Sequence, residues 1–141
     1  MTDSAQDIRA RTFVFACAVA KLALQIEPRP GLRCIVDQLL KAATSVGANL
    51  EEAKAGSSRR EFVRYLEIAL REAREAAYWL RICVVLQVGP AEELRQLTGE
   101  ASQICRILGA IVVKTKFRAR AGLAVFIVFE FCILNFALLF S

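Results

Sequence analysis

Residues 58–87 read SRREFVRYLEIALREAREAAYWLRICVVLQ, and this stretch decides the fold. Phe62, Leu66, Ala69, Ala73, Ala76, Leu80, Cys83 and Gln87 recur at alternating steps of four and three residues, with Val63, Leu70, Ala77 and Val84 flanking them at sevens. That is the rhythm of a helix that lays one apolar seam against its neighbours. Ser58 to Glu61 spells an S-x-x-E capping box, in which a hydroxyl and a carboxylate satisfy the free amides of a helix start. The spacing predicts a helix from Ser58 to Gln87, roughly 45 Å long. Its outward face carries both signs of charge, with Glu67/Arg71 and Arg71/Glu75 at the i,i+4 separation of ion pairs. Tyr65, Ile68, Tyr78 and Trp79 lie off the main seam and mark a candidate oligomer interface.

The flanking segments repeat the pattern. Ile35, Leu39, Ala42, Val46, Asn49 and Ala53 predict a second helix over about Leu32 to Lys54, with Leu40 and Ala43 widening its stripe. Asn49 is the polar member of this set. An unpaired buried amide costs on the order of 1–3 kcal/mol, so it needs a backbone group or a residue of a neighbouring helix. Thr44, Ser45, Gly47 and Ala48 beside it are small enough to let another helix approach. A first helix is predicted from about Ser4 to Ile26 on Ile8, Thr12, Phe15, Val19, Leu22 and Ile26. It stops at Glu27-Pro28-Arg29-Pro30-Gly31, where two prolines withhold amide donors. A fourth carries Leu94, Leu97, Ala101, Ile104, Leu108 and Ile111 behind Val88-Gly89-Pro90. Short connections at 27–31, 55–58 and 88–90 fold consecutive helices back on one another. Residues 1–115 are therefore expected to form an all-α, antiparallel, up-down-up-down four-helix bundle.

Composition narrows the function classes. With 141 residues there is room for one core, yet the 56% apolar content and mean hydropathy of +0.43 imply that something apolar packs on more than that core. Over residues 1–113 fifteen bases face thirteen acids, whereas Lys114, Lys116, Arg118 and Arg120 add four unopposed charges in seven residues. The basic excess is thus local. Cys17, Cys34, Cys83, Cys105 and Cys132 show no metal spacing, and their apolar neighbours read as buried free thiols of a reducing compartment. Met1-Thr2-Asp3-Ser4 does not read as a secretory signal. Without histidine, P-loop, G-x-G-x-x-G or a duplicated Glu-x-x-His pattern, no enzyme, metal, cofactor or small-molecule substrate is expected.

The last segment is of another kind. Residues 121–140, AGLAVFIVFEFCILNFALLF, are twenty residues with one charge, the length needed to cross a bilayer core of about 30 Å. They are expected to form an extra apolar C-terminal helix, so that 116–141 comprises a basic flank and a candidate membrane anchor. The flank Lys114, Lys116, Arg118 and Arg120 would hold the bundle on the cytoplasmic side, at the inner face of the membrane. Glu130 opposes insertion by about 2.5–3.5 kcal/mol, and the surrounding apolar residues outweigh it. The competing reading packs the tail on the bundle or between subunits.

Several motifs also carry a family resemblance. QLLKAATSVGANLEEA at 38–53, SRREF at 58–62, IALREARE at 68–75 and YWLR at 78–81 closely resemble the 23S rRNA intervening-sequence family, most specifically in T-S-x-G-A-N-x-E-E and Y-W-L-R. The resemblance implies a left-handed bundle of four helices that assembles into a homo-oligomer, commonly a pentamer, with no enzymatic activity. A related branch, the accessory protein of diversity-generating retroelements, looks like a basic ring that binds nucleic acid and a reverse transcriptase. The resemblance carries Asn49, Glu52, Arg59 and Glu61 over as structural and inter-helix residues, with Asn49 and Glu52 as a structural polar core. This sequence departs from the family in its apolar tail and its mildly basic bundle.

Two functions remain in view. One is a non-enzymatic oligomeric scaffold of the intervening-sequence family, attached to a membrane through 121–141. The other is an RNA-binding accessory protein, for which Arg59, Arg60, Arg64, Arg71 and Arg74 are the candidate nucleic-acid contacts. Glu61, Glu67 and Glu75 interleave with these arginines and favour the first.

Overall fold

The computed structural model describes the backbone of residues 3–27 and 29–139 and the side chains of residues 8–27 and 29–118. Four helices follow in order, α1 (Asp3–Gln25), α2 (Pro30–Ala55), α3 (Arg59–Val85) and α4 (Ala91–Leu139). No strand occurs among the described residues.

The corners follow from local chemistry. Pro30 opens α2, since the first turn of a helix has no use for the amide that proline lacks. Helix α2 therefore starts two residues earlier than the expected Leu32. At the next corner Ser58 caps α3, its hydroxyl accepting from the Glu61 N–H at 3.2 Å. The reciprocal arm of the box is displaced by one residue, because the Glu61 carboxylate accepts from the backbone N–H and the hydroxyl of Ser57, each at 3.0 Å. Between α3 and α4 the chain turns through Gln87 and Gly89, both with positive φ, 53° and 107°. Gly89 is doubly constrained, since a Cβ there would also lie 3.0 Å from Leu22 Cδ1.

All four helices contribute to a single core. Ile8, Phe15, Val19 and Leu22 meet Leu39, Val46 and Leu50, Leu66, Leu70 and Leu80, and Leu94, Ile104 and Leu108. Helix α1 touches α2 and α4, and α3 touches the same two, so the helices occupy four corners around this core. Arg9 pairs with Glu51 while Gly47 lies against Thr12 and Phe13, so α1 and α2 run in opposite senses. Thr12 is fully buried, and its hydroxyl donates to the Arg9 carbonyl at 3.0 Å. Asn49 is half-buried and satisfied within its own helix, donating to the Ser45 carbonyl at 2.8 Å. Glu52 is exposed, which corrects its assignment to a polar core. It sits about 100° round α2 from Ala53, beyond the edge of the buried stripe.

The α1–α4 seam is joined by a polar clasp. Arg11 donates to both oxygens of Glu100, at 2.5 and 2.7 Å, and to Gln103 Oε1 at 2.6 Å. The Arg11 hydrogen bonds hold the Glu100 carboxyl below its ordinary range, against the opposing effect of partial burial.

The expected separate C-terminal helix is instead the continuation of α4, a single element of 49 residues that passes through the boundary expected at 115/116. The physical reason is the linker, KTKFRARAG at 114–122. It contains no proline, consists largely of good helix formers, and ends in a glycine that costs about 1 kcal/mol, too little to break a helix supported on both sides. At 1.5 Å per residue α4 is about 74 Å long and the 26-residue α2 about 39 Å, so α4 extends well past the bundle. Among the described residues no helix is long and apolar enough to cross a membrane. The side chains of the candidate anchor, 121–141, and of Arg120 lie outside the described residues.

Gly89→Ala is expected to destabilise the fold by about 1–3 kcal/mol, through positive φ and the Leu22 contact, read as a lower denaturation midpoint. Glu100→Gln should lower the melting temperature by about 2–4 °C at neutral pH, the effect of roughly 1 kcal/mol in a chain of this size. Because the folded carboxyl titrates below its ordinary value of 4.5, the stabilisation is complete above that value and disappears as the pH falls through the depressed one. The melting temperatures of wild type and variant should therefore converge in acid.

Candidate interaction surfaces

Helix α1 has two apolar sides. Its inner stripe ends in the core, but Phe13, Cys17, Ala20 and Leu24 repeat the four-three-four step on the opposite side. Phe13, Val14 and Leu24 are 68%, 65% and 88% exposed. Along this outer side α1 and α2 enclose a groove of about 410 Å³ lined by Phe13, Cys17, Ala20, Thr44, Gly47 and Ala48. The Arg9–Glu51 ion pair, at 3.2 Å, is also part of its wall. This second stripe is legible from its spacing alone.

The α3 residues marked as a candidate oligomer interface divide. Tyr65, Ile68 and Trp79 are half-buried along one edge of the helix, and Trp79 packs against the core. Its indole N–H donates to Glu75 at 3.2 Å. Tyr78 points outward, 54% exposed, and meets the Trp79 ring edge to face with centroids 5.2 Å apart. The ion pairs expected along α3 are not formed, because Glu75 is taken by Trp79 and Glu67 pairs across the seam with Lys116. Lys116 is thus an opposed charge, contrary to the sequence reading.

The arginines divide as well. Arg60, Arg64, Arg71, Arg74 and Arg81 are all exposed and follow one another along the outer side of α3, and no described carboxylate pairs with them. Arg59 departs from that row. It donates to the Thr115 carbonyl at 3.4 Å, and with Lys54, Ser57, Phe62 and Arg118 it lines a cavity of about 610 Å³ at the α2–α3 corner. The flank residue Lys114 is exposed. The Glu61 carboxyl at this corner is held low by the Ser57 side-chain hydrogen bond first and the Ser57 amide second.

The thiols are less uniform than expected. Cys83 is buried and Cys105 half-buried, and burial pushes both thiols up, whereas Cys17 and Cys34 are exposed. Apolar neighbours in sequence spread around the whole circumference of a helix and do not fix the side on which a cysteine lies. Among the described residues no three His, Cys, Asp or Glu side chains gather as metal ligands.

Comparison with known proteins agrees with this architecture. The family model for 23S rRNA-intervening sequence proteins matches residues 5–110. A crystal structure of a protein of unknown function from the S23 ribosomal protein family of Bacteroides thetaiotaomicron superposes with a TM-score of 0.68 at 27% identity, over 77% of this chain and 96% of that one. No curated protein matches the chain.

Proposed function

Because the chain belongs to the 23S rRNA-intervening sequence protein family, we propose that it works without catalysis, as a self-assembling helical scaffold attached to a membrane by the apolar end of α4. The observation that carries the reading is the second apolar stripe of α1. A helix that is apolar on both sides is ordinarily covered on both, and residues spaced four and three apart are suited to a helix of a second copy. Gly47, Ala48 and Ala20 would allow that helix close approach. In the same reading the bundle is a left-handed up-down-up-down one, the sense in which seams of this period coil, and its copies close into a ring such as the family's pentamer. The tail supports attachment by its length and composition, with the bundle on the cytoplasmic side.

A second reading, an RNA-binding accessory protein, is favoured by the arginine row of α3, with which no described carboxylate pairs. Copies arranged around a ring would multiply such a row into a basic band.

The assembly reading is tested with Phe13→Glu combined with Leu24→Glu, studied in mild detergent by light scattering. The mass is expected to fall to that of one chain, 15.6 kDa, with helicity unchanged, while Cys17 becomes open to thiol reagents. An unchanged mass would sink the assembly reading. The RNA reading requires binding that weakens steeply with salt and is lost in Arg64→Gln with Arg71→Gln; salt-independent binding, or none at low salt, rejects it.

A further inference from the structure

The cavity at the α2–α3 corner gathers cations from two separate parts of the chain. Lys54 comes from the last turn of α2, Arg59 from the first residue of α3, and Arg118 from α4 nearly sixty residues later. Arg59 fixes the arrangement by its hydrogen bond to Thr115, and its remaining guanidinium N–H groups have no described partner. No described carboxylate pairs with Lys54, Arg59 or Arg118. The amides of the α3 start are not what makes the place attractive to an anion. Ser58 already accepts from the Glu61 N–H, and Glu61 from the Ser57 N–H.

The location of this cavity matters as much as its charge. Thr115 and Arg118 lie where α4 leaves the bundle, one turn before the apolar run that begins at Ala121. Phe62 is in the cavity wall, and Phe117, next to Arg118 in the chain, is 72% exposed. Cations and rings together at the root of an apolar helix suit the boundary between water and lipid, where headgroup phosphates lie a few ångströms from acyl chains. A single-stranded nucleic acid would call for a continuous track of bases, which the outer row of α3 offers and this corner, with its three clustered cations, does not.

We infer that the cavity lined by Lys54, Arg59 and Arg118 binds the phosphate of an anionic phospholipid headgroup and thereby sets the bundle down on the membrane surface around the root of α4. The inference rests on the membrane attachment proposed above and adds to it a specific contact from the α2–α3 corner.

The test is flotation of the full chain, at limiting lipid, with vesicles of phosphatidylcholine alone or mixed with phosphatidylglycerol. The wild type should bind both and prefer the anionic mixture. Lys54→Gln with Arg59→Gln should remove that preference, by about fivefold per charge and on the order of thirtyfold for the pair, without changing binding to phosphatidylcholine. Arg64→Gln with Arg71→Gln, an equal loss of charge on the outer row of α3, should retain it. Inorganic phosphate should not compete with the anionic vesicles. Absence of binding to either vesicle overturns the attachment and the headgroup site together. Equal binding to both overturns the headgroup site alone, as does a preference that survives the Lys54/Arg59 variant or falls equally in the Arg64/Arg71 variant. Competition by free phosphate, or RNA binding lost only in the Lys54/Arg59 variant, would assign the cavity to another anion and overturn the proposal.

Discussion

Helices α2 and α3 pack extensively against each other, the buried stripes of both are rich in alanine, and the rest of the arrangement depends on that close packing. Ala42, Ala43 and Ala53 on α2 and Ala69, Ala73 and Ala76 on α3 are all buried, each at 3% exposure or less. Small side chains at a helix contact bring the axes together, and the two backbones then exclude water with little side-chain entropy lost. The larger residues Leu39, Leu66 and Leu80 belong to the same core. Any one of these alanines enlarged would separate the helices and displace partners on both sides, because interiors packed at crystal density have no slack to absorb a methylene.

This logic explains which parts of the fold were legible in the sequence. A four-three rhythm states which side of each helix is inward, and Leu66, Leu80, Leu94 and Ile104 are accordingly buried. Prolines and glycines mark the corners because they act through the local backbone. Where a helix stops is harder to read when nothing local stops it, and the run of lysines, arginines and alanines at 114–121 suits a helix as well as a linker. The end of α4 was misjudged for that reason. Partners of long charged side chains were misjudged for another. Lys116 reaches Glu67 and Arg11 reaches Glu100, pairings that depend on the distance between helices and leave no periodic trace in the chain.

The candidate surfaces show the same division. The second stripe of α1 is periodic and was readable, yet a reading directed at one seam per helix overlooks a second. The corner of Lys54, Arg59 and Arg118 was not readable, since its members are scattered across the chain and only the packing of α4 beside the α2–α3 corner unites them. Arg59 and Arg60 are neighbours in sequence and belong to different surfaces. An arginine-rich segment is therefore a poor unit of function until its helix has been placed.

The uninterrupted passage of α4 from core to overhang has a mechanical meaning. A helix with no joint transmits rotation, so the azimuth of the four-cornered body would be geared to that of any support holding the far end, at about 100° for every residue between them. A hinged linker would let the body tumble above its support. A continuous rod would give copies on one support the same heading and the same stand-off, which is the condition for them to lie in register.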